Sequence, residues 1–191
     1  MNNLAYLPSG THIFVDASVL ALHFTGHLEL GPPCRDFLER CASHEIKGYT
    51  SVIAASETIH RVMVREARTR LGFATSPETV NYLKRHPEMV QGLRQNLAVA
   101  SKIYHLGVKI LPVSYKDLHR GNRVRQQYGL LTNDSLIVAV MQRRRLRHLA
   151  THDRDFSCVS ILHVWYPNPL PQGNTRMPPP DSLTWPRSKS A

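Results

Sequence analysis

Acidic residues are scarce in this chain, where 14 Asp and Glu stand against 24 Lys and Arg in 191 residues, a formal charge of +10. That imbalance argues against a cationic partner and for a polyanion, RNA or DNA above all. Cysteine is scarce as well. Cys34, Cys41 and Cys158 are odd in number and match no metal-knuckle spacing, so reduced thiols in a cytoplasmic protein are the simplest reading. No apolar run approaches the roughly 20 residues of a membrane-spanning helix. No basic amphipathic helix with large exposed apolar residues is evident, which disfavours a lipid surface. The opening MNNLAYLPSG lacks the charged start and apolar centre of a signal peptide. Also missing are the GxxxxGK[ST] phosphate loop, HExxH and the GxSxG elbow. An aspartyl-nucleophile phosphatase needs a second acid two residues after Asp16, where Ser18 stands, and a receiver domain needs paired acids before its aspartate. There is no internal repeat.

What is present suffices for one substantial core, with 42% hydrophobic residues in a single-domain length. THIFVD reads as a buried strand ending at Asp16, followed by a helix in ASVLALHF. A second helix runs from Pro32 to Ser43, and KGYT is a weak strand. Thr50 or Ser51 can cap a long helix through SVIAASETIHRVMVREARTRL. Ser76-Pro77-Glu78 restarts a helix, His86-Pro87 interrupts it, and Gly107 follows the end of the next. VKILPVS is a strand. YKDLHRGNRVRQQYG is a helix weakened at Gly121, Asn133 caps NDSLIVAVMQRRRL, and HLAT and ILHVW are strands. This alternation predicts an α/β fold with a central, mostly parallel sheet flanked by helices, over residues 1–166. From 167 to 191 the composition turns Pro-rich and apolar-poor, which predicts a tail without a core.

Four acids are the ones this reading places in apolar surroundings: Asp16, Glu57, Asp134 and Asp153. Asp16 and Asp153 directly follow strands, so a parallel sheet puts both at its carboxyl edge, where open α/β folds place their sites. Helices run back from that edge, so Asp134 in a first turn and Glu57 one to two turns into its helix face the same end. Like charges about 4 Å apart repel by about 4 kcal/mol at an effective dielectric near 20. A hard cation such as Mg²⁺ or Mn²⁺ relieves that repulsion, and oxygen-only ligands select it over zinc. The same cation suits phosphodiester hydrolysis, for which the basic surface supplies the substrate.

Singly, each acid has a plainer explanation. Asp16 can cap a helix, Asp134 can complement a helix N-terminus, Glu57 can pair with Arg61 at i+4, and Asp153 and Asp155 can be turn residues. Their joint placement is harder to explain that way. The segments IFVDASVL, SVIAASETIH, LLTNDSLIVAV and LATHDRDF resemble, in order and spacing, those of PIN domains, and most of all VapC-type toxins of bacterial toxin–antitoxin pairs. The resemblance covers residues 11–166.

It implies a Mg²⁺- or Mn²⁺-dependent endoribonuclease in which Asp16, Glu57, Asp134 and Asp153 form the acidic cluster, with Asp155 as an auxiliary metal ligand. Ser18 and Thr151 match supporting hydroxyl positions. An RNA substrate, a cognate antitoxin protein that blocks the acids, and a homodimer are implied as well. A housekeeping RNA-processing nuclease and a non-catalytic RNA-binding domain of the same type are the alternatives, the second disfavoured because all four acids are in place. The stretch from 68 to 105 is longer than compact members need and reads as a helical insertion. Two basic runs remain. Arg143, Arg144, Arg145 and Arg147 end the Asp134 helix and read as a solvated terminus away from the acids. Arg61, Arg65, Arg68 and Arg70 lie on the Glu57 helix, nearer the site. His12, His60 and His152 read as ordinary polar histidines.

Overall fold

Strand β2 (His12–Val15) divides two cores. Side chains alternate along a strand, so Ile13 and Val15 join one apolar cluster with Leu20, Leu38 and Ile103, while Phe14 joins another with Ile137, Met141 and Phe156. Burial on both faces is why this strand is a continuous apolar run.

The computed structural model describes residues 2–169. Around β2 stand β1 (Asn2–Asn3), β3 (Lys47–Ser51), β4 (Lys109–Leu111), β5 (His148–Ala150) and β6 (His163–Tyr166), in the order β1-β6-β5-β2-β3-β4. Every pairing is parallel. Helices α1 (Ala17–Phe24) and α2 (Gly31–Ala42) connect β2 to β3. Helices α3 (Val52–Leu71), α4 (Ser76–Arg85), α5 (Pro87–Gln91) and α6 (Val99–His105) lead to β4. Helices α7 (Tyr115–Tyr128) and α8 (Thr132–Arg143) lead to β5. The chain first builds outward from β2 through β3 to β4, then returns to β2's other side with β5. Such a reversal of strand order opens a crevice at the carboxyl edge.

Local chemistry explains most boundaries. Ser51 caps α3 by accepting from the Ala54 N–H at 3.2 Å, as the sequence predicts. Gly107 has φ +71°, and a Cβ there would lie 2.5 Å from the Cys41 carbonyl oxygen, so α6 can turn into β4 against α2 only with glycine.

Three local expectations are corrected. Asn133 does not cap α8; Leu131 holds that place in an extended conformation without a side-chain bond, and Asn133 sits inside the first turn. Gly121 is not a weak point of α7. It is where α8 packs closely, since a Cβ would meet Leu136 Cδ2 at 3.1 Å. Strand β1 was not foreseen, because two asparagines carry no apolar alternation; Asn2 Nδ2 donates to the Val164 carbonyl across the β1–β6 pairing. The expected Pro-rich tail lies, from residue 170 onward, outside the described residues.

The assignment of buried acids also changes. The most buried ones are Asp117 and Glu66, at 0% and 2% exposure, and only Asp16, at 6%, is comparable. Both are structural. Glu66 takes Arg70 at 2.7 Å and the backbone N–H groups of Arg94 and Gln95, tying the segment after α5 back onto α3. Asp117 closes a capping box with Ser114 at the head of α7 and accepts from Arg143 Nε at 2.8 Å. Burial pushes the Asp117 carboxyl up, but donation from Ser114 and Arg143 outweighs it and holds it below its ordinary value. Arg143 therefore does not belong to a solvated terminus. The sequence missed both pairs because their partners are remote or sit in helices that show no other sign of burying charge.

Helix α8 ends in a Schellman turn, with Leu146 N–H bonded to the Met141 carbonyl at 2.9 Å and Arg145 N–H to Gln142 at 3.1 Å. Its left-handed position is occupied by Arg145 at φ 56°, where glycine is usual. Replacing Arg145 with glycine is expected to stabilise the fold by about 1 kcal/mol, raising Tm by about 2–4 °C. Thermal denaturation checks this, and an unchanged or lower Tm refutes the strain.

Candidate active site

The carboxyl end of β2 is joined to that of β5 by side chains. Asp16 follows β2, and its Oδ2 accepts from Ser18 Oγ at 2.5 Å, Ser18 N–H at 3.3 Å and Thr151 Oγ1 at 2.8 Å. Thr151 follows β5. Its Oγ1 in turn accepts from the Asp153 N–H at 3.0 Å, while Ser18 Oγ accepts from the His152 N–H at 2.9 Å. The backbone adds Asp16 N–H to the Ala150 carbonyl at 2.9 Å. Two loops from neighbouring strands are thereby fixed against each other at the reversal of strand order. Asp16 also caps α1, so its plainer role and its place in the cluster coexist.

Three more acids reach this edge by different routes. Asp134 lies in the first turn of α8, Glu57 on α3 and Asp153 two residues past Thr151. Their proximity shows in Asp134, whose carboxyl is pushed up to about 6 by burial first and then by the charges of Asp153, Asp16, Glu57 and Asp155. The structure thus brings all four sequence-selected acids, and the auxiliary Asp155, within electrostatic reach of one carboxylate.

Each acid keeps an oxygen free of protein donors among the described residues. Asp16 spends Oδ2 and keeps Oδ1. Arg61 donates through both Nε and Nη2 to Glu57 Oε1, at 3.0 and 2.5 Å, leaving Oε2. Asp153 Oδ1 accepts from the Asp155 N–H at 2.9 Å, leaving Oδ2. Asp134 has no side-chain partner. Among the described residues no group of three acids, histidines or cysteines is gathered closely enough to cage a metal by itself. The set fits a cation that takes one or two carboxylates and keeps water, which is the habit of Mg²⁺.

Two flanking residues escaped the sequence reading. Arg154, exposed between Asp153 and Asp155, puts a cation beside the acids. Tyr166, ending β6, has its hydroxyl pushed up by burial while feeling both Arg154 and Asp153. Their only sequence signal is position, at the ends of strands sharing one edge.

Comparison with known proteins gives consistent results. A PIN-domain family model matches residues 13–162. Over 160 residues the chain is 27% identical to ribonuclease VapC6 of Methanocaldococcus jannaschii, covering 82% of this chain and 97% of that protein. Among solved structures it is similar to the sarcin-ricin-loop-cleaving toxin VapC20 of Mycobacterium tuberculosis, with TM-score 0.52 and 17% identity over 78% of this chain and 95% of that one. VapBC2 of Rickettsia felis, solved with a promoter DNA fragment, gives TM-score 0.50 and 16% identity over 82% and 98%. These structural likenesses establish the fold.

The Asp134 shift sets that carboxyl's own contribution to the pH dependence of the metal-free protein. A carboxyl whose folded-state value is raised from 3.8 to about 6 binds its proton more tightly when folded. Its stabilising contribution is complete below the unfolded value and is lost as pH rises through the folded one. In chelator, Tm is expected to fall between about pH 4 and pH 6. Asp134→Asn is expected to flatten that fall and to melt higher than wild type at neutral pH. A variant that melts lower, with the pH dependence intact, refutes the crowding of charge at Asp134.

Proposed function

The chain belongs to the PIN-domain family, and from that membership we propose that it is a divalent-metal-dependent endoribonuclease, the toxin of a toxin–antitoxin pair. The observation that carries this reading is Asp134, half-buried with four other carboxylates acting on it and no protein cation bonded to it. An arrangement so unfavourable by itself is explained by a bound cation. Oxygen-only donors favour a hard ion, Mg²⁺ or Mn²⁺. When bound, the cation supplies charge neutralisation at the scissile phosphate and a more acidic water.

The chain's own residues do the rest. Ser18 and Thr151 hold Asp16 by one oxygen and so orient the other. Arg61 does the same for Glu57, and the Asp155 N–H for Asp153. Donors outside the ligand set that fix a ligand's orientation raise affinity and precision of placement. The helix start beneath Asp134 adds N–H dipoles at the same edge. Among the described residues no helix is long and apolar enough to cross a membrane, in keeping with a polyanionic substrate in solution. The protein partner we assign is one that covers the acids, since a free nuclease of this kind endangers its host.

Purified protein is expected to cleave RNA with Mg²⁺ or Mn²⁺, to stop in chelator, and to lose cleavage in Asp16→Asn with only a small change in Tm. Gel analysis of the products reads the outcome, and undiminished cleavage in chelator overturns the metal assignment. In cells, expression of the chain alone is expected to arrest growth and Asp134→Asn to relieve the arrest. Normal growth with abundant, soluble, RNA-cleaving wild-type protein refutes the toxin role and leaves a processing nuclease.

A further inference from the structure

Several arginines are committed to structure. Arg40 is held by Glu45, Arg70 by Glu66, Arg120 and Arg143 by Asp117, and Arg125 by Ser135 and Asn122. Those without an acidic partner among the described residues include Arg65 and Arg68 on α3 and Arg154 after β5. On α3, Glu57, Arg61, Arg65 and Arg68 recur at spacings of four, four and three, which places them on one arc of the helix. Arg61 and Arg65 are exposed and Arg68 half-exposed. Arg65 and Arg68 have no acidic partner among the described residues.

The stripe starts inside the acid cluster, at Glu57, and leads away from it for about 16 Å along the helix axis. Arg61 is its hinge, because Nε and Nη2 are spent on Glu57 Oε1 while Nη1 has no partner among the described residues. On the other side of Asp16, at the end of β5, the exposed Arg154 has no acidic partner among the described residues either. The carboxyl edge thus carries acids in the middle and guanidinium groups on both sides. A chain of negative charges crossing that edge meets cations before and after the acids that would otherwise repel it.

We infer that Arg154, Arg61, Arg65 and Arg68 form the track that carries the phosphate backbone of an RNA strand across the acidic site, with α3 as its longer arm. This rests on the ribonuclease reading and adds the direction of the substrate to it. Arg65 and Arg68 are phosphate contacts remote from the reacting atoms. Arg61 is a positioning residue that links the substrate backbone to Glu57. Arg144, Arg145 and Arg147, also without an acidic partner among the described residues, lie at the far end of α8. Arg144 is ten residues from Asp134, about 15 Å along the axis, and none of the three belongs to the track.

The test measures binding of a labelled single-stranded RNA oligonucleotide in Mg²⁺ over a series of salt concentrations. Asp134→Asn serves as the background, to suppress cleavage. Each lost phosphate contact lowers the slope of log affinity against log salt by about 0.7 for a single strand, so Arg65→Gln with Arg68→Gln is expected to lower it by about 1.4. Arg144→Gln with Arg147→Gln is expected to leave the slope unchanged. In the cleaving protein, the Arg65 and Arg68 substitutions are expected to raise KM with kcat little changed, whereas Arg61→Gln lowers kcat as well because it releases Glu57. All five arginine positions are exposed or half-exposed, and equal melting temperatures confirm that the variants are folded.

Wild-type slope and KM in the Arg65/Arg68 double variant overturn the track, as does an equal loss in the Arg144/Arg147 variant. Retained RNA affinity with lost affinity for an acidic protein segment assigns the stripe to a protein partner and overturns it too. Failure of the underlying reading looks different, since wild-type protein then cleaves no RNA with either metal, whatever the slopes show.

Discussion

A hydrogen bond from the Thr151 hydroxyl to Asp16 ties the carboxyl end of β5 to that of β2. It spans the two adjacent strands at which the sheet's order reverses, β2 and β5, and works with the Asp16 N–H to Ala150 carbonyl bond and the His152 N–H to Ser18 hydroxyl bond to fix the loops that leave them. The Ser18 hydroxyl also donates to Asp16, and the N–H groups of His152 and Asp153 donate to the Ser18 and Thr151 hydroxyls respectively, so the local backbone has few conformations left. Everything placed at this edge by longer routes, Asp134 on α8 and Glu57 on α3, is referred to this rigid centre. Buried polar networks contribute such specificity only when every member is satisfied, and here each donor has its acceptor.

Charge in this protein divides into two populations with different physics. Asp117 and Glu66 are sealed in the fold and answered by arginines and backbone donors, so they fasten α7 to α8 and the α4–α6 segment to α3. At the carboxyl edge Arg61 answers Glu57, but the Asp134 carboxyl has no such partner and is raised by burial first and by the neighbouring acids second. An internal ion pair completes itself, whereas Asp134 has no protein cation bonded to it among the described residues. The arginines divide in the same way, between those paired with acids, such as Arg70 and Arg143, and those without an acidic partner among the described residues, such as Arg65, Arg68 and Arg154.

Much of this was legible beforehand because it depends on short stretches of chain. The apolar, β-branched run of β2, the Ser51 cap of α3, the glycine after α6 and the strand–helix alternation each carry a local signal, and together they give a parallel α/β sheet. The acids could be selected for the same reason. A residue directly after a strand, or in the first turns of a returning helix, reaches the carboxyl edge whatever the details of packing. The local signal failed where the deciding neighbour is remote. Gly121 looks like a helix breaker until α8 is packed on it, Arg143 looks solvated until Asp117 is brought beneath it, and β1 has no pattern of its own and exists because β6 offers an edge.

The sequence by itself determined the fold class, the set of acids and the end of the molecule they occupy, since strand direction and helix return follow from periodicity and chain order. Only the tertiary structure decided which oxygen of each acid is spent, which arginines are free and which buried acids are merely structural. Those outcomes depend on contacts between residues far apart in the chain, such as Asp16 with Thr151, and no local pattern encodes a distance that arises only when separate elements pack.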